Sequence, residues 1–245
     1  ALAAASHAPS LILTTEELSA RMAEQSPDLD AAPATAETVC FWLYSSGSTG
    51  NPKGVIHPHR SMVYTSQCSG VDTIGLVEDD SCFSASKMFH SYGFGNALTF
   101  PLWVGATMIL SDQRVTPELT FEMFERYRPS VYFGVPTLYA QQLHAMDKKM
   151  PDTSSLRQCV SAGEALPGDV LNRWREKTGT LIVDGLGSTE ALHIFVGNTP
   201  ADHKPGTSGR VVGRYEVRIV DEDGNHVEKG EIGTLHVRGG STAIE

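Results

Sequence analysis

The 245-residue sequence carries 19 Lys and Arg against 29 Asp and Glu, a net charge of −10, and is 40% apolar. That is enough apolar chain to bury a sizeable core in one domain or two subdomains, while the acidic balance argues against nucleic acid or an anionic membrane as partner. The four cysteines (Cys40, Cys68, Cys82, Cys159) stand far apart with no C-x-x-C, which disfavours zinc and a disulfide scaffold and leaves them as core thiols.

The chain opens Ala-Leu-Ala-Ala-Ala-Ser, without an initiator Met or a basic segment ahead of a long apolar run. No signal peptide and no membrane span are expected, the start reads as a cut, and the expected location is cytoplasmic. Residues 9–13 suit a strand and residues 15–24 a short helix; residues 26–37, rich in Ala, Pro and Asp, read as a linker into an apolar strand at 40–44.

Next comes Tyr44-Ser45-Ser46-Gly47-Ser48-Thr49-Gly50-Asn51-Pro52-Lys53-Gly54, with hydroxyls, three glycines and one lysine between two apolar runs. Its glycines let backbone N–H groups approach a polyanion, its hydroxyls donate further bonds, and Lys53 supplies a mobile positive charge. The P-loop string G-x-x-x-x-G-K-[ST] is absent, and Val55-Ile56-His57 continues a strand pattern up to Pro58, so the segment is expected to join two strands. By composition alone a plain linker fits equally.

Beyond it, strand candidates at 81–85, 107–110, 131–133, 159–161 and 181–184 alternate with helices, the pattern of parallel βα units. Thr116 caps one predicted helix with Pro117 in its first turn and Leu119, Met123 and Tyr127 on one stripe, and Pro167 and Gly179 bracket another. The strand at 181–184 runs into Gly185-Leu186-Gly187-Ser188-Thr189-Glu190, at a strand end of the kind where open α/β sheets bind ligands. A carboxylate there would repel a phosphate unless a metal lay between them, so Glu190 reads as a ligand of phosphate-bound Mg²⁺. After about residue 205 short alternating strands follow, with Asp223-Gly224 as a hairpin turn between 217–220 and 234–237. His57 and His59 alternate at a strand end with no third ligand nearby, against a metal pair.

Four segments in this order resemble the adenylate-forming enzymes: acyl- and aryl-CoA ligases, luciferases and peptide-synthetase adenylation domains. They are residues 44–54 (phosphate loop), Phe89-His90-Ser91-Tyr92-Gly93 (acid pocket), Ser161-Ala162-Gly163-Glu164-Ala165 (adenine platform) and residues 185–190. The longer strings FWLYSSGSTG, GNALTFPL, GVPTLYA, SAGEALP and GSTEALHIF resemble benzoate-CoA ligases.

The resemblance implies an α/β fold with a mostly parallel sheet and flanking helices, part of that superfamily's large N-terminal domain, followed by a partial β-rich subdomain. The expected divisions are 1–38 (end of a preceding subdomain and linker), 39–204 (nucleotide- and acid-binding α/β subdomain) and 205–245 (partial β-barrel-like subdomain). It further implies ATP, Mg²⁺ and coenzyme A beside an aryl carboxylic acid, with a homodimer as an expected assembly. By the template, Ser45, Ser46, Gly47, Ser48, Thr49, Gly50 and Lys53 grip the outer phosphates, and Thr189 bonds the α-phosphate while Glu190 holds Mg²⁺. Gly163, Glu164 and Ala165 carry the adenine, whose amine donates to Asp184, beside Gly185. His90, Ser91, Tyr92 and Gly93 form one wall of the acid pocket, Gly185, Leu186 and Gly187 another, and His193 closes its far end; His90 suggests a hydroxylated or otherwise substituted ring. Related enzymes carry a ribose-binding Asp, a hinge and a C-terminal Lys domain beyond the segment matched, so the chain alone is expected to be an inefficient ligase. Open alternatives are an adenylation module serving a carrier protein and a non-catalytic nucleotide-binding fragment.

Overall fold

The structure is a computed structural model and describes residues 13–46 and 51–244. The chain divides between Ala34 and Thr35 into two compact units. In the first, α1 (Thr15–Ala23) starts at a capping box in which Thr14 Oγ1 accepts from the Glu17 N–H at 3.2 Å and Glu17 Oε2 accepts from the Thr14 N–H at 2.8 Å. The strand expected at 9–13 falls almost wholly outside the described residues.

The second unit opens with β1 (Val39–Ser46) and β2 (Pro52–Pro58), paired antiparallel with Ser45 opposite Lys53. The glycine-rich segment therefore joins two strands, as the residues on either side of it require. From β2 the chain enters α2 (His59–Thr65), which continues in π-helical turns over Ser66–Ile74 and stops at Gly75, φ 73°. Then follow β3 (Ser81–Ser84), α3 (Ser91–Phe94), α4 (Phe100–Val104), β4 (Thr107–Ile109), α5 (Pro117–Tyr127), β5 (Val131–Gly134) and α6 (Pro136–Met146). The remaining elements are β6 (Gln158–Ala162), α7 (Gly168–Thr178), β7 (Ile182–Gly187), β8 (Ile194–Gly197), β9 (Arg210–Val211), β10 (Glu216–Val220) and β11 (Thr234–Arg238).

Seven strands form one sheet in the order β4-β3-β5-β6-β7-β8-β9, parallel from β4 to β7 and antiparallel for β8 and β9. Both faces of its centre are buried, which is why β5 is a continuous apolar run. Phe83, Tyr132, Cys159 and Ile182 point into one core with residues of α5, α6 and α7, including Phe124, Leu143 and Trp174. Their strand neighbours Cys82, Val131, Phe133, Val160 and Val183 point into the other, with Cys68, Ile74 and Phe100. The three buried cysteines are free thiols, and burial pushes Cys82 and Cys159 up to about 12.

A polar clasp ties the N-terminal ends of three strands. Asp80, just before β3 and 3% exposed, accepts from Arg157 Nε at 2.7 Å and from Ser130 Oγ at 2.7 Å. Burial raises the Asp80 carboxyl, but the bonds from Arg157 and Ser130 outweigh it and hold the group below its usual value.

Two expectations change. Tyr127 is exposed, with the Arg126 guanidinium over its ring, and the buried stripe of α5 runs through Leu119, Thr120, Met123 and Phe124 instead. Asp223-Gly224 is a turn, but it closes onto the Val220–His226 bridge, and residues 227–233 still separate it from β11.

Candidate active site

The parallel strands deliver three motifs to their carboxyl ends. β6 and β7 pair so that Ser161 faces Asp184 and Ala162 faces Gly185. Directly after β6 the backbone turns at Gly163, whose φ of 92° is strained for any residue with a Cβ. Glu164 and Ala165 follow, exposed. Asn198, after β8, donates from Nδ2 to Asp184 Oδ1 at 3.0 Å and from its N–H to the Asp184 carbonyl at 2.9 Å, fixing the carboxylate beside the turn. Burial pushes the Asp184 carboxyl up.

The loop after β7 is held through its backbone. The carbonyl of Thr189 accepts from His57 Nε2 at 2.8 Å, that of Glu190 from the Ala243 N–H at 2.8 Å, and that of Ala191 from Ser241 Oγ at 2.7 Å. Leu192, buried at φ 67°, adopts a left-handed conformation costing a non-glycine residue about 1–3 kcal/mol. With its main chain anchored, the loop leaves the Glu190 side chain exposed and that of Thr189 half-buried.

The strand hairpin is docked on this loop. His57 is fully buried on β2, stacks on Phe41 at 5.3 Å between ring centroids, and makes the bond to Thr189; Phe41 in turn packs on Phe94 of α3 at 4.7 Å. Ser45 and the exposed Lys53 pair across β1 and β2, and Ser46 ends β1. Gly47, Ser48, Thr49 and Gly50 lie outside the described residues.

Between these parts is a cavity of about 170 Å³. Ser91 and Tyr92 line it from α3, Ala162 and Gly163 from β6 and its turn, and Gly187, Ser188, Thr189, His193 and Ile194 from the β7–β8 connection. Three of the four motifs thus meet at one hollow. His90, Gly93, Gly185 and Leu186 do not line it. His90 is exposed beside Phe89, at 4.5 Å between rings, and Leu186 is 39% exposed. Gly93 and Gly185 serve close packing: a Cβ would lie 2.2 Å from the Lys87 carbonyl oxygen at the first and 2.7 Å from Ile194 Cγ2 at the second. A larger groove of about 880 Å³, lined by Phe121, Glu125, Gln141 and Lys148 among others, takes no residue from the four motifs, so size does not locate the site.

His193 is 2% exposed and packs edge-on against Phe100 at 4.5 Å. Its Nε2 lies 3.1 Å from Asn96 Oδ1 and 3.3 Å from the Tyr92 carbonyl, two acceptors, which places the proton on that nitrogen. Burial lowers its pKa to about 3, so the ring is neutral.

Glu190 is the one acidic residue of the loop, and no cluster of three or more metal-ligand side chains occurs among the described residues. One carboxylate suits Mg²⁺, which takes one or two protein carboxylates and completes its shell with substrate phosphates and water.

Sequence reasoning missed His57, Asn96, Asn198 and Ser241, which position the site's backbone and side chains. The bonds by which they do so run from 14 residues for Asn198 and Asp184 to 132 for His57 and Thr189, and no helix or strand period marks them.

The family model described as "AMP-binding enzyme" matches residues 3–244. The benzoate–CoA ligase of Thauera aromatica is 46% identical over 230 residues, which cover 94% of this chain and 44% of that protein. A benzoate CoA ligase structure from Burkholderia xenovorans LB400 superposes with a TM-score of 0.86 at 41% identity, covering 92% of this chain and 45% of that one. An anthranilate CoA ligase, AuaEII, solved with anthranoyl-AMP, gives a TM-score of 0.87 at 41% identity, covering 91% and 43%. The chain spans less than half the length of each.

Proposed function

The chain belongs to the AMP-binding enzyme family, and on that premise we propose that its residues form the nucleotide- and acid-binding part of an ATP-dependent aryl-acid:CoA ligase. The observation that carries this is the hollow where Tyr92, Gly163, Thr189 and His193 meet, beside the anchored strand hairpin. The acid belongs to the benzoate class, in keeping with the names of the similar ligases.

In the first step a carboxylate oxygen of the acid attacks the α-phosphorus of ATP, and the bond from that phosphorus to the bridging oxygen breaks. Pyrophosphate leaves with the electron pair, and the aryl-adenylate remains. No protein nucleophile is needed, so the residues position and neutralise. Gly163, Glu164 and Ala165 support the adenine, and Asp184 accepts from its amine. Thr189 donates to the α-phosphate; Lys53 and the hydroxyls of residues 45–49 hold the pyrophosphate. Mg²⁺ bound by Glu190 and phosphate oxygens would supply charge neutralisation. Ser91, Tyr92, Gly187 and His193 enclose the ring. In the second step the thiolate of coenzyme A adds to the adenylate carbonyl and AMP departs with its electron pair, leaving the thioester.

The test is acid-dependent pyrophosphate release by the complete natural protein, screened over substituted benzoates, cinnamates and fatty acids, with thioester detection by mass spectrometry. Release with benzoates and formation of an aryl-CoA are expected. Preference for fatty acids would overturn the substrate class, and transfer to a carrier protein without CoA product would replace the ligase with an adenylation module.

A further inference from the structure

His57 has no part in the chemistry above, yet it is fully buried at the junction of the hairpin and the Thr189 loop. Its Nε2 lies 2.8 Å from a carbonyl oxygen, which can only accept, so the proton sits on Nε2. Nδ1 then faces Ser61 Oγ on α2 at 3.3 Å, a hydroxyl that also lies 3.3 Å from the Ser241 carbonyl and shares its single proton between the two acceptors. The Thr189 carbonyl also accepts from the Leu192 N–H at 3.0 Å, so both of its lone pairs are engaged and the peptide that follows Thr189 is fixed in orientation. Strand alternation puts Lys53, Val55 and His57 on one face of β2. The face that presents Lys53 is therefore the face bolted to Thr189, about 13 Å further along the strand.

We propose that His57 is a positioning residue for adenylation, setting the Thr189 hydroxyl and the Glu190 carboxylate in register with Lys53 so that the α-phosphate and the departing pyrophosphate are gripped together. This rests on the reading of Thr189 and Glu190 given above. Two neighbouring bonds, from Ala243 to the Glu190 carbonyl and from Ser241 to the Ala191 carbonyl, hold the rest of the loop, so His57 governs the Thr189 peptide in particular. A purely structural histidine would move stability alone; a positioning one moves kcat together with the effect of Thr189.

The experiment is a double-mutant cycle in the complete natural protein, read as kcat and KM for ATP in acid-dependent pyrophosphate release, with a thermal midpoint for each variant. His57→Leu keeps volume without a donor, His57→Gln offers an amide near the Nε2 position, His57→Asn offers one near Nδ1, and Thr189→Ala removes the hydroxyl. The expected result is a fall in kcat of about tenfold or more for His57→Leu in the wild-type background and less than about threefold in the Thr189→Ala background, the non-additivity of coupled groups. His57→Gln should recover most of the loss and His57→Asn should not, a comparison that survives if the leucine variant fails to fold. Multiplicative losses for His57→Leu and Thr189→Ala, equal activity of the Gln and Asn variants, or an Nδ1–H tautomer of His57 by nitrogen NMR would each overturn the proposal. Absence of any acid-dependent release from the wild-type protein would overturn the functional reading and this inference with it.

Discussion

Ala162 and Gly185 face each other across the β6–β7 ladder, and that single pairing brings the Gly163 turn beside Asp184. The first prediction follows from it. Asp184 has one oxygen engaged by Asn198, which leaves the other for the adenine amine. Asp184→Ala should weaken ATP about tenfold or more, the scale of a hydrogen bond to a charged group, and barely change ITP, whose ring carries a carbonyl in place of the amine. Competition binding with ATP and ITP checks it; an equal loss for both nucleotides would remove Asp184 from adenine recognition.

Glu190 is exposed on a loop whose carbonyls are tied from behind, and its carboxylate makes no hydrogen bond or ion pair among the described residues. Glu190→Gln should leave the thermal midpoint unchanged and lower pyrophosphate release most at limiting Mg²⁺. Titrating Mg²⁺ for both proteins measures this, and superimposable Mg²⁺ curves would deny Glu190 the metal.

The two histidines expected in the acid pocket separate in space: His193 lines the hollow and His90 does not. His193→Phe should shift relative kcat/KM from hydroxylated toward plain benzoates, while His90→Phe should leave that ratio within about twofold, since an unpaired polar partner costs only where it touches the ring. A larger shift for His90 than for His193 would reverse the assignment.

Burial holds His193 neutral down to about pH 3, whereas in the unfolded chain a histidine takes up its proton near pH 6.5. A base whose folded pKa is depressed contributes stability that is complete above the unfolded value and is lost as pH falls from about 6.5 toward 3. In that window His193 alone should give a slope of about 1.4 kcal/mol per pH unit. Denaturant unfolding of wild type and His193→Phe between pH 7 and 4 tests this, the expected outcome being a shallower fall for the variant; parallel curves would show that His193 does not titrate differently on folding.

Arg157→Ala should leave the nearly buried Asp80 carboxylate with its bonds from Ser130 and the Val77 N–H alone and cost about 1.5–3 kcal/mol, the scale of hydrogen bonds to a charged group. Because that clasp sits at the N-terminal strand ends and the site at the C-terminal ends, KM for ATP should not change. Steady-state kinetics below the variant's melting midpoint decide it, and a raised KM at full folding would contradict the separation.

Much of this arrangement was legible where the physics is local. The apolar run Val131-Tyr132-Phe133 reads as one strand of a series of parallel βα units, and Thr116 with Pro117 marks a helix start by capping alone. The glycine-rich segment reads as a strand connection because Val55-Ile56-His57 cannot begin a helix before Pro58. The π-helical run at Ser66–Ile74 leaves no period distinct from an α-helix in so short a span. Nor could local patterns show that Gly93 serves close packing against the Lys87 carbonyl, or that His57 reaches Thr189. Those facts belong to tertiary approach, and local residue spacing does not record them.

The most direct test of the account is a crystal structure of the protein with ATP and Mg²⁺, or with a non-hydrolysable aryl-adenylate. The expected density has the adenine against residues 163–165 with its amine on Asp184, the α-phosphate at Thr189, and the ring in the hollow bounded by Tyr92, Gly187 and His193. An adenine remote from both Gly163 and Asp184 would contradict it.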